Sequence, residues 1–337
     1  MKATFKVFTI SFIGAIVFDF FHLPIPWLLG PIFTVLLSQF VVQSDLAWPP
    51  ILRNTGLVIV GVAIGQQFDL SLFNGIGKLI IYMLIINGIL LLCSVFLSIF
   101  ISKWTGMTLK TALTGSIPGG LSQLVLFAEE EQGIDLATVT YFHVVRVVAV
   151  VLVIPFIISG HVVTGGANDG VVSGLLVIVL ILAACSVWLG KKCRLPVAHF
   201  LTPILFIIIV HLIGFETPTV SSSLLHIAQL FIGAYIGLLL KPHMVRLPKR
   251  VLKAGVISAV ALIGLTYGSS VLLQWLLGYS FATSFLSTAP GGLDQMGLLA
   301  AAVGADISIV TVFQLFRLLF IFLVVLPLLK FVCRQVL

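Results

Sequence analysis

"STAPGGLDQMG", Ser287 to Gly297, stands in a chain that is 60% hydrophobic with a mean hydropathy of +1.25. Pro-Gly-Gly breaks a helix: proline has no amide N–H to donate, and glycine turns where other residues clash. An aspartate and a glutamine follow at once. The same phrase occurs earlier as "SIPGGLSQLVL", Ser116 to Leu126. Irregular backbone beside polar side chains is costly in apolar surroundings, so writing it twice needs a physical reason.

Composition sets the surroundings. Of the 337 residues only 9% are charged, against roughly 25% in soluble domains. Apolar runs such as "LIIYMLIINGILLLCSVFLSIFI", Leu79 to Ile101, are long enough for a helix to cross a bilayer core of about 30 Å. The expectation is an all-α polytopic membrane protein with the lipid bilayer as its solvent. The net charge of +7 comes from short loops between apolar runs, where cytoplasmic basic residues gather. It therefore does not signal nucleic acid. The N-terminal apolar stretch has no small-residue cleavage site and is expected to be the first span. Cys93, Cys185, Cys193 and Cys333 form no CxxC pair, and the histidines form no HxxxH or HxxE, so no metal is expected. Neither a G-x-S-x-G, a Walker A nor a Rossmann motif is present, which argues against an enzyme and against a nucleotide or other cofactor.

The chain is duplicated. Leu23-Pro24 recurs as Leu195-Pro196, Pro31 as Pro203, and Gly61 and Gly65 as Gly233 and Gly237. Pro118-Gly119-Gly120-Leu121 and Gln123 recur as Pro290-Gly291-Gly292-Leu293 and Gln295. Asp135, Thr140 and Arg146 recur as Asp306, Thr311 and Arg317. The expected repeats are residues 1–160 and 171–332. Two copies fit the two-fold architecture of secondary transporters.

Loop charge sets the expected topology. With every apolar segment crossing, Lys and Arg divide nearly evenly between the two sides. If each PGG segment dips in and returns, Lys78 alone is left opposite the other loop bases. That bias predicts two inverted repeats, each of five transmembrane helices and one re-entrant PGG hairpin. Both termini then lie in the cytoplasm, beneath the inner (plasma) membrane.

Broken backbone at membrane depth survives only against protein or a wet cavity. Gly119, Gly120, Gly291 and Gly292 would open the returning half-helices, whose N–H groups suit an anion. Ser122, Gln123 and Gln295 stand beside them. Arg146 and Arg317 lie eleven residues after Asp135 and Asp306, about 16 Å along a helix and so near mid-bilayer. Thr140, His143 and Arg146 form a stripe that Thr311, Gln314 and Arg317 copy. Two readings of the arginines stand: a counter-ion for Asp294, or a bidentate ligand for an anionic substrate. Asp294 replaces Ser122, which makes the halves unequal. It could carry H+, ligate Na+, or sit in a static pair. Glu129, Glu130 and Glu131 read as a solvated cytoplasmic face.

"LPIPWLLGP", "PGGLSQLVLFAEEEQGIDLATVTYFHVVRVV" and "APGGLDQMGLLAAAVGADISIVTVFQLFRLL" resemble the AbrB-type membrane protein family with its duplicated AbrB domain. The resemblance covers nearly the whole chain and implies a bacterial inner-membrane protein. Members are often labelled ammonia monooxygenases or regulators, yet no copper or iron ligand set is visible here. In architecture the chain also resembles carriers with inverted repeats and broken helices, such as the bile-acid and citrate symporters. The expected function is ion-coupled secondary transport of a small organic anion or polar metabolite, with the site between the two PGG hairpins. The alternative is a membrane regulator or enzyme subunit without transport. Whether protomers pair as a homodimer stays open.

Overall fold

The computed structural model describes residues 2–41, 46–69, 76–159, 173–193, 195 and 197–335. Among them every regular element is helical. The first half runs α1 (Lys2–Phe20), α2 (Pro26–Val41), α3 (Pro50–Gln66), α4 (Ile76–Thr105), α5 (Leu109–Ser116), α6 (Leu121–Glu130) and α7 (Leu136–Ser159). The second runs α8 (Gly174–Lys192), α9 (Ala198–Leu212), α10 (Ser222–Gly237), α11 (Lys249–Leu277), α12 (Phe281–Thr288), α13 (Leu293–Val303), α14 (Ile307–Phe320) and α15 (Leu326–Gln335). A 3-10 turn, Pro242–Arg246, follows α10, and a π-helical segment, Ile321–Val325, joins α14 to α15. Element for element, the second half repeats the order of the first. The repeat includes the break, since α5 and α12 are both eight residues long.

Among the described residues seven helical stretches are long and apolar enough to cross a membrane: α1, α4, α7, α8, α10 with its 3-10 turn, α11, and Ile307–Cys333. Phe5, Phe96, Ile181 and Trp275 along them are exposed, as side chains facing lipid would be. α5 and α6, at 1.5 Å per residue, reach only about 12 and about 15 Å. The π segment lies just before Pro327. That proline has no N–H for the Leu323 carbonyl, and its ring crowds the preceding turn.

The chain forms two compact units. One comprises Met1–Leu70, Pro155–Leu239 and Gly297–Ser308; the other comprises Ser71–Ile154, Leu240–Met296 and Ile309–Leu337. Each unit draws on both halves of the sequence.

In the first unit, α1 packs on α2 and α8 on α9, while α3 crosses over to α9 and α10 to α2. The exchange is reciprocal at atomic detail. A Cβ added at Gly61 would stand 2.7 Å from the Phe200 carbonyl oxygen and 3.0 Å from Pro203 Cβ. One added at Gly233 would stand 2.6 Å from the Leu28 carbonyl oxygen and 3.1 Å from Pro31 Cβ. Glycine is needed at both so that the backbones can touch, the device that replaces the hydrophobic effect between helices in lipid. Trp48 Nε1 donates to the Phe231 carbonyl at 3.0 Å and Gln39 Nε2 to the Gly237 carbonyl at 2.6 Å, fixing α10.

In the second unit, α4 packs on α5, α11 on α12, and α4 on α11. Leu113 and Ile117 of the α5 segment and Leu124 and Phe127 of α6 pack on Ile321, Val325, Leu329 and Cys333. The first half's broken helices thus lean on the second half's last helix. Tyr141 and Phe142 of α7 join Ile101, Ala112, Val251 and Ala254 in a second cluster, and the Tyr141 hydroxyl donates to the Leu252 carbonyl at 3.0 Å.

Gly61→Val and Gly233→Val force side chains into backbone contacts. Each is expected to cost about 1–3 kcal/mol, read as a lower unfolding midpoint in detergent. Gly88→Val, where a Cβ meets nothing within 4 Å, should leave that midpoint unchanged.

Candidate functional site

The two breaks lie in the second unit and are built alike. α5 starts at an N-cap, Thr108, whose Oγ1 accepts from Thr111 N at 3.3 Å. α12 starts at Ser280, whose Oγ accepts from Thr283 N at 3.2 Å. Each helix then runs into a proline. Gly119 N donates to the Ile117 carbonyl at 2.9 Å and Gly291 N to the Ala289 carbonyl at 2.9 Å, a tight three-residue turn about each proline. Gly120 and Gly292 then open α6 and α13, with Leu124 N and Met296 N donating back to their carbonyls.

A proline at position 118 cannot donate to the carbonyl four residues earlier, that of Thr114. Pro290 abandons that of Leu286 in the same way. Side chains from the last span of each half take over both acceptors. His143 Nε2 lies 3.1 Å from the Thr114 carbonyl oxygen. A carbonyl only accepts, so this nitrogen carries the proton. Gln314 Nε2 donates to the Leu286 carbonyl at 2.6 Å and reaches those of Ser287 and Ala289 at 3.4 and 3.2 Å. One helical turn on, Arg146 donates from Nη1 to the Ile117 carbonyl and from Nη2 to the Gly119 carbonyl, both at 2.9 Å. Arg317 donates to the matching carbonyls of Ala289 and, at 2.5 Å, of Gly291. It also reaches the Thr288 carbonyl at 3.5 Å and the Gln314 Oε1. The planar guanidinium fork suits such a pair of carbonyls as well as it suits a carboxylate.

The arginine–carbonyl pairing is a partner that the two sequence readings, acid or substrate, did not include. It was hidden because the acceptors are backbone and lie 26 to 29 residues away in sequence. The one usable signal was positional: a donor side chain in both copies, His in one and Gln in the other, at the same offset from a proline. The caps Thr108 and Ser280 were likewise missed, although Ser and Thr are preferred residues at a helix start.

The other singled-out residues fall as follows. Gly119, Gly120, Gly291 and Gly292 form the turns and are half-buried. Gln295 Oε1 accepts from Gly292 N at 3.0 Å, the reciprocal half of a capping box. Gln123 occupies the equivalent place, but its buried Oε1 has no hydrogen-bond partner. Arg146 Nε is also buried without a partner. The Ser122 side chain lies outside the described residues. Asp294 is buried in the first turn of α13, where the helix dipole favours a negative charge. Asp135 caps α7, accepting from Ala137 N at 3.1 Å and from the Thr138 hydroxyl at 2.5 Å. Glu129 and Glu130 are exposed.

Among the described residues the buried charged side chains are Arg146, Arg317 and Asp294, two positive and one negative. Both guanidiniums belong to the same unit, each holding the carbonyls of its own break. The first-turn N–H groups of α6 and α13, which have no carbonyl within their own helices, add partial positive charge. Two polar break points, a surplus of positive charge and unspent donors and acceptors thus meet in one unit. No group of three His, Cys, Asp or Glu side chains suited to a metal occurs among the described residues.

A family model described as "Transition state regulatory protein AbrB" matches residues 27–333. A Bacillus subtilis (strain 168) protein named "Uncharacterized protein YhjN" is 26% identical, aligned over 93% of this chain and 88% of its own length. An Escherichia coli (strain K12) protein named "Putative regulator AbrB" is 28% identical over 90% of this chain and 88% of its own.

If His143 serves as donor to the carbonyl that proline abandons, His143→Gln copies the second half and keeps the fold, whereas His143→Leu leaves that carbonyl bare. The expected loss for the leucine variant is about 1–3 kcal/mol, measured as the change in unfolding midpoint. Equal midpoints for the two variants would remove the donor role.

Proposed function

The chain belongs to the AbrB family, and we propose that it is a secondary transporter of a small organic anion or polar metabolite, driven by a coupled ion. The observation that carries this reading is the pair of proline breaks in one unit, each held open by side chains and together enclosing more positive than negative buried charge. Irregular backbone in an apolar protein is sustained where it lines a polar path.

In this reading the repeats are inverted, each with five crossing helices and a re-entrant hairpin. Both termini lie on the cytoplasmic side of the inner membrane. The one-sided loop charge supports it. So does the closure of the first break: Thr108 Oγ1 donates to the Gly133 carbonyl at 3.0 Å and Asp135 N to Thr111 Oγ1 at 3.0 Å. The chain therefore returns beside its own starting point after two helices too short to cross.

The arginines then do two things. Their terminal nitrogens shape the tips, and their charge makes the tips hospitable to an anion. The substrate meets the half-helix N-termini at Gly119, Gly120, Gly291 and Gly292, the unpartnered Gln123 Oε1 and the remaining Arg146 Nε donor. Gln295 holds its tip in shape, and Arg317 supplies field more than contact. Asp294, the acid the first half lacks, takes up H+ or Na+ as the coupling ion.

The word "regulator" in the Escherichia coli relative's name keeps a second reading in view, a membrane regulatory protein without transport. Proteoliposomes separate the two. Wild type should accumulate a labelled organic anion when an ion gradient is imposed. Asp294→Asn should retain substrate exchange across the membrane but lose accumulation by at least about tenfold, the cost of uncoupling roughly 1.4 kcal/mol of gradient. Accumulation at the wild-type level in Asp294→Asn would refute the coupling role. Absence of exchange for every anion tried in wild type would favour the regulator.

A further inference from the structure

The first unit contains a cavity of about 500 Å³, within the range of small-molecule sites. It lies where the start of α2, the end of α3, the start of α10 and the last turn of α13 come together. Trp27, Gln67, Thr219, Ser222, His226 and Gln229 supply its polar and aromatic lining. The indole of Trp27 and the imidazole of His226 stack with centroids 5.1 Å apart and planes 6° from parallel, an aromatic pair in the wall of the cavity. Gln66 also lines the cavity, but its amide is spent on the adjoining loop. It donates to Thr217 Oγ1 and the Pro218 carbonyl and accepts from Val220 N.

Gln229 is different. Its side chain is 9% exposed, lines the cavity, and makes no hydrogen bond to any described residue. A buried amide left unpaired costs about 1–3 kcal/mol. Its amide opens on the cavity, so water or a solute there that both donates and accepts removes the cost. The lining itself includes no Lys, Arg, Asp or Glu; the carboxylate that acts on it, Asp19 toward His226, stands outside the lining, so an ion entering would shed water without gaining a direct partner of opposite charge. A carboxamide matches Gln229 with one donor and one acceptor, and a flat group attached to it matches the Trp27–His226 pair.

We infer that the first unit carries a binding site of its own for an uncharged solute with a planar, carboxamide-like hydrogen-bonding group. It is separate in residues and in ligand charge from the anion site at the proline breaks, and it does not depend on the transport reading. The competing occupant is water, which would satisfy the amide without selecting for shape or charge.

The test is a charge series of equal shape on the full chain in lipid nanodiscs: benzamide, benzoate and benzylammonium, followed by tryptophan emission. Benzamide should give a saturable change that is lost in Trp27→Phe. Benzoate and benzylammonium should need at least about tenfold higher concentration for the same response. Gln229→Leu should weaken benzamide by about tenfold. Gln229→Glu, which keeps the size and adds a negative charge, should move the preference toward benzylammonium. That gain distinguishes a changed site from a damaged fold. Equal responses to all three probes, no saturation with benzamide, or benzamide binding unaltered by both Gln229 variants would leave a water-filled cavity and overturn the inference.

Discussion

A helix that ends inside an apolar protein leaves carbonyls open, a proline just past its end has no N–H to offer the one four residues back, and there is little water to adopt it. That constraint, met at Thr114 and again at Leu286, organises the second unit. It calls for a donor side chain on a neighbouring helix at a fixed height, and His143 and Gln314 supply it. It fixes the spacing to the next pair of open carbonyls, one turn on, where Arg146 and Arg317 sit. Through these bonds the last span of each half is locked to the broken helix of the same half. The halves are tied together by packing, with Ile321 and Val325 of the π segment against Leu113 and Leu124 of the first break.

The same arithmetic turns architecture into chemistry. Neutral carbonyls partner the guanidiniums without cancelling their charge. Two arginines and one buried aspartate in the same apolar unit therefore leave a surplus of positive charge there. The half-helices that begin at the breaks add the partial positive charge of their unspent N–H groups. On the proposed transport reading, a structural need, to hold irregular backbone, and a functional one, to attract an anion, are met by the same side chains. Truncating either arginine should therefore disturb shape and charge together, so Arg→Lys alone cannot separate those roles.

Much of this was legible in the sequence. The apolar segment expected at 136–159 is α7, and the recurring PGG marked both breaks. The paired Thr–x–x–His/Gln–x–x–Arg stripe announced a shared task. What stayed hidden was the partner. Asp294 was the conspicuous acid, and an arginine invites an acid, whereas a backbone carbonyl leaves no mark in the residue type of its owner. The π segment ahead of Pro327 left one faint mark: Pro155, inside an unbroken α7, corresponds to Leu326 at the spacing that pairs Arg146 with Arg317, so the second half carries one extra residue before its proline. The cavity under Trp27 gathers residues from four separate stretches of chain, none of which forms a motif alone.

The central claim is that Gln314 and His143 exist to serve the carbonyls that the prolines abandon. A double-mutant cycle on the second break tests it most directly. Unfolding free energies would be measured in mixed micelles for wild type, Gln314→Leu, Pro290→Ala and the double variant. With Pro290 in place, losing the glutamine should cost about 1–3 kcal/mol. With alanine at 290, α12 can lengthen through Ala289, extended in the native chain, and carry a restored N–H to the Leu286 carbonyl, so the same loss should shrink by at least about 1 kcal/mol. Costs that simply add, to within about 0.5 kcal/mol, would contradict the account.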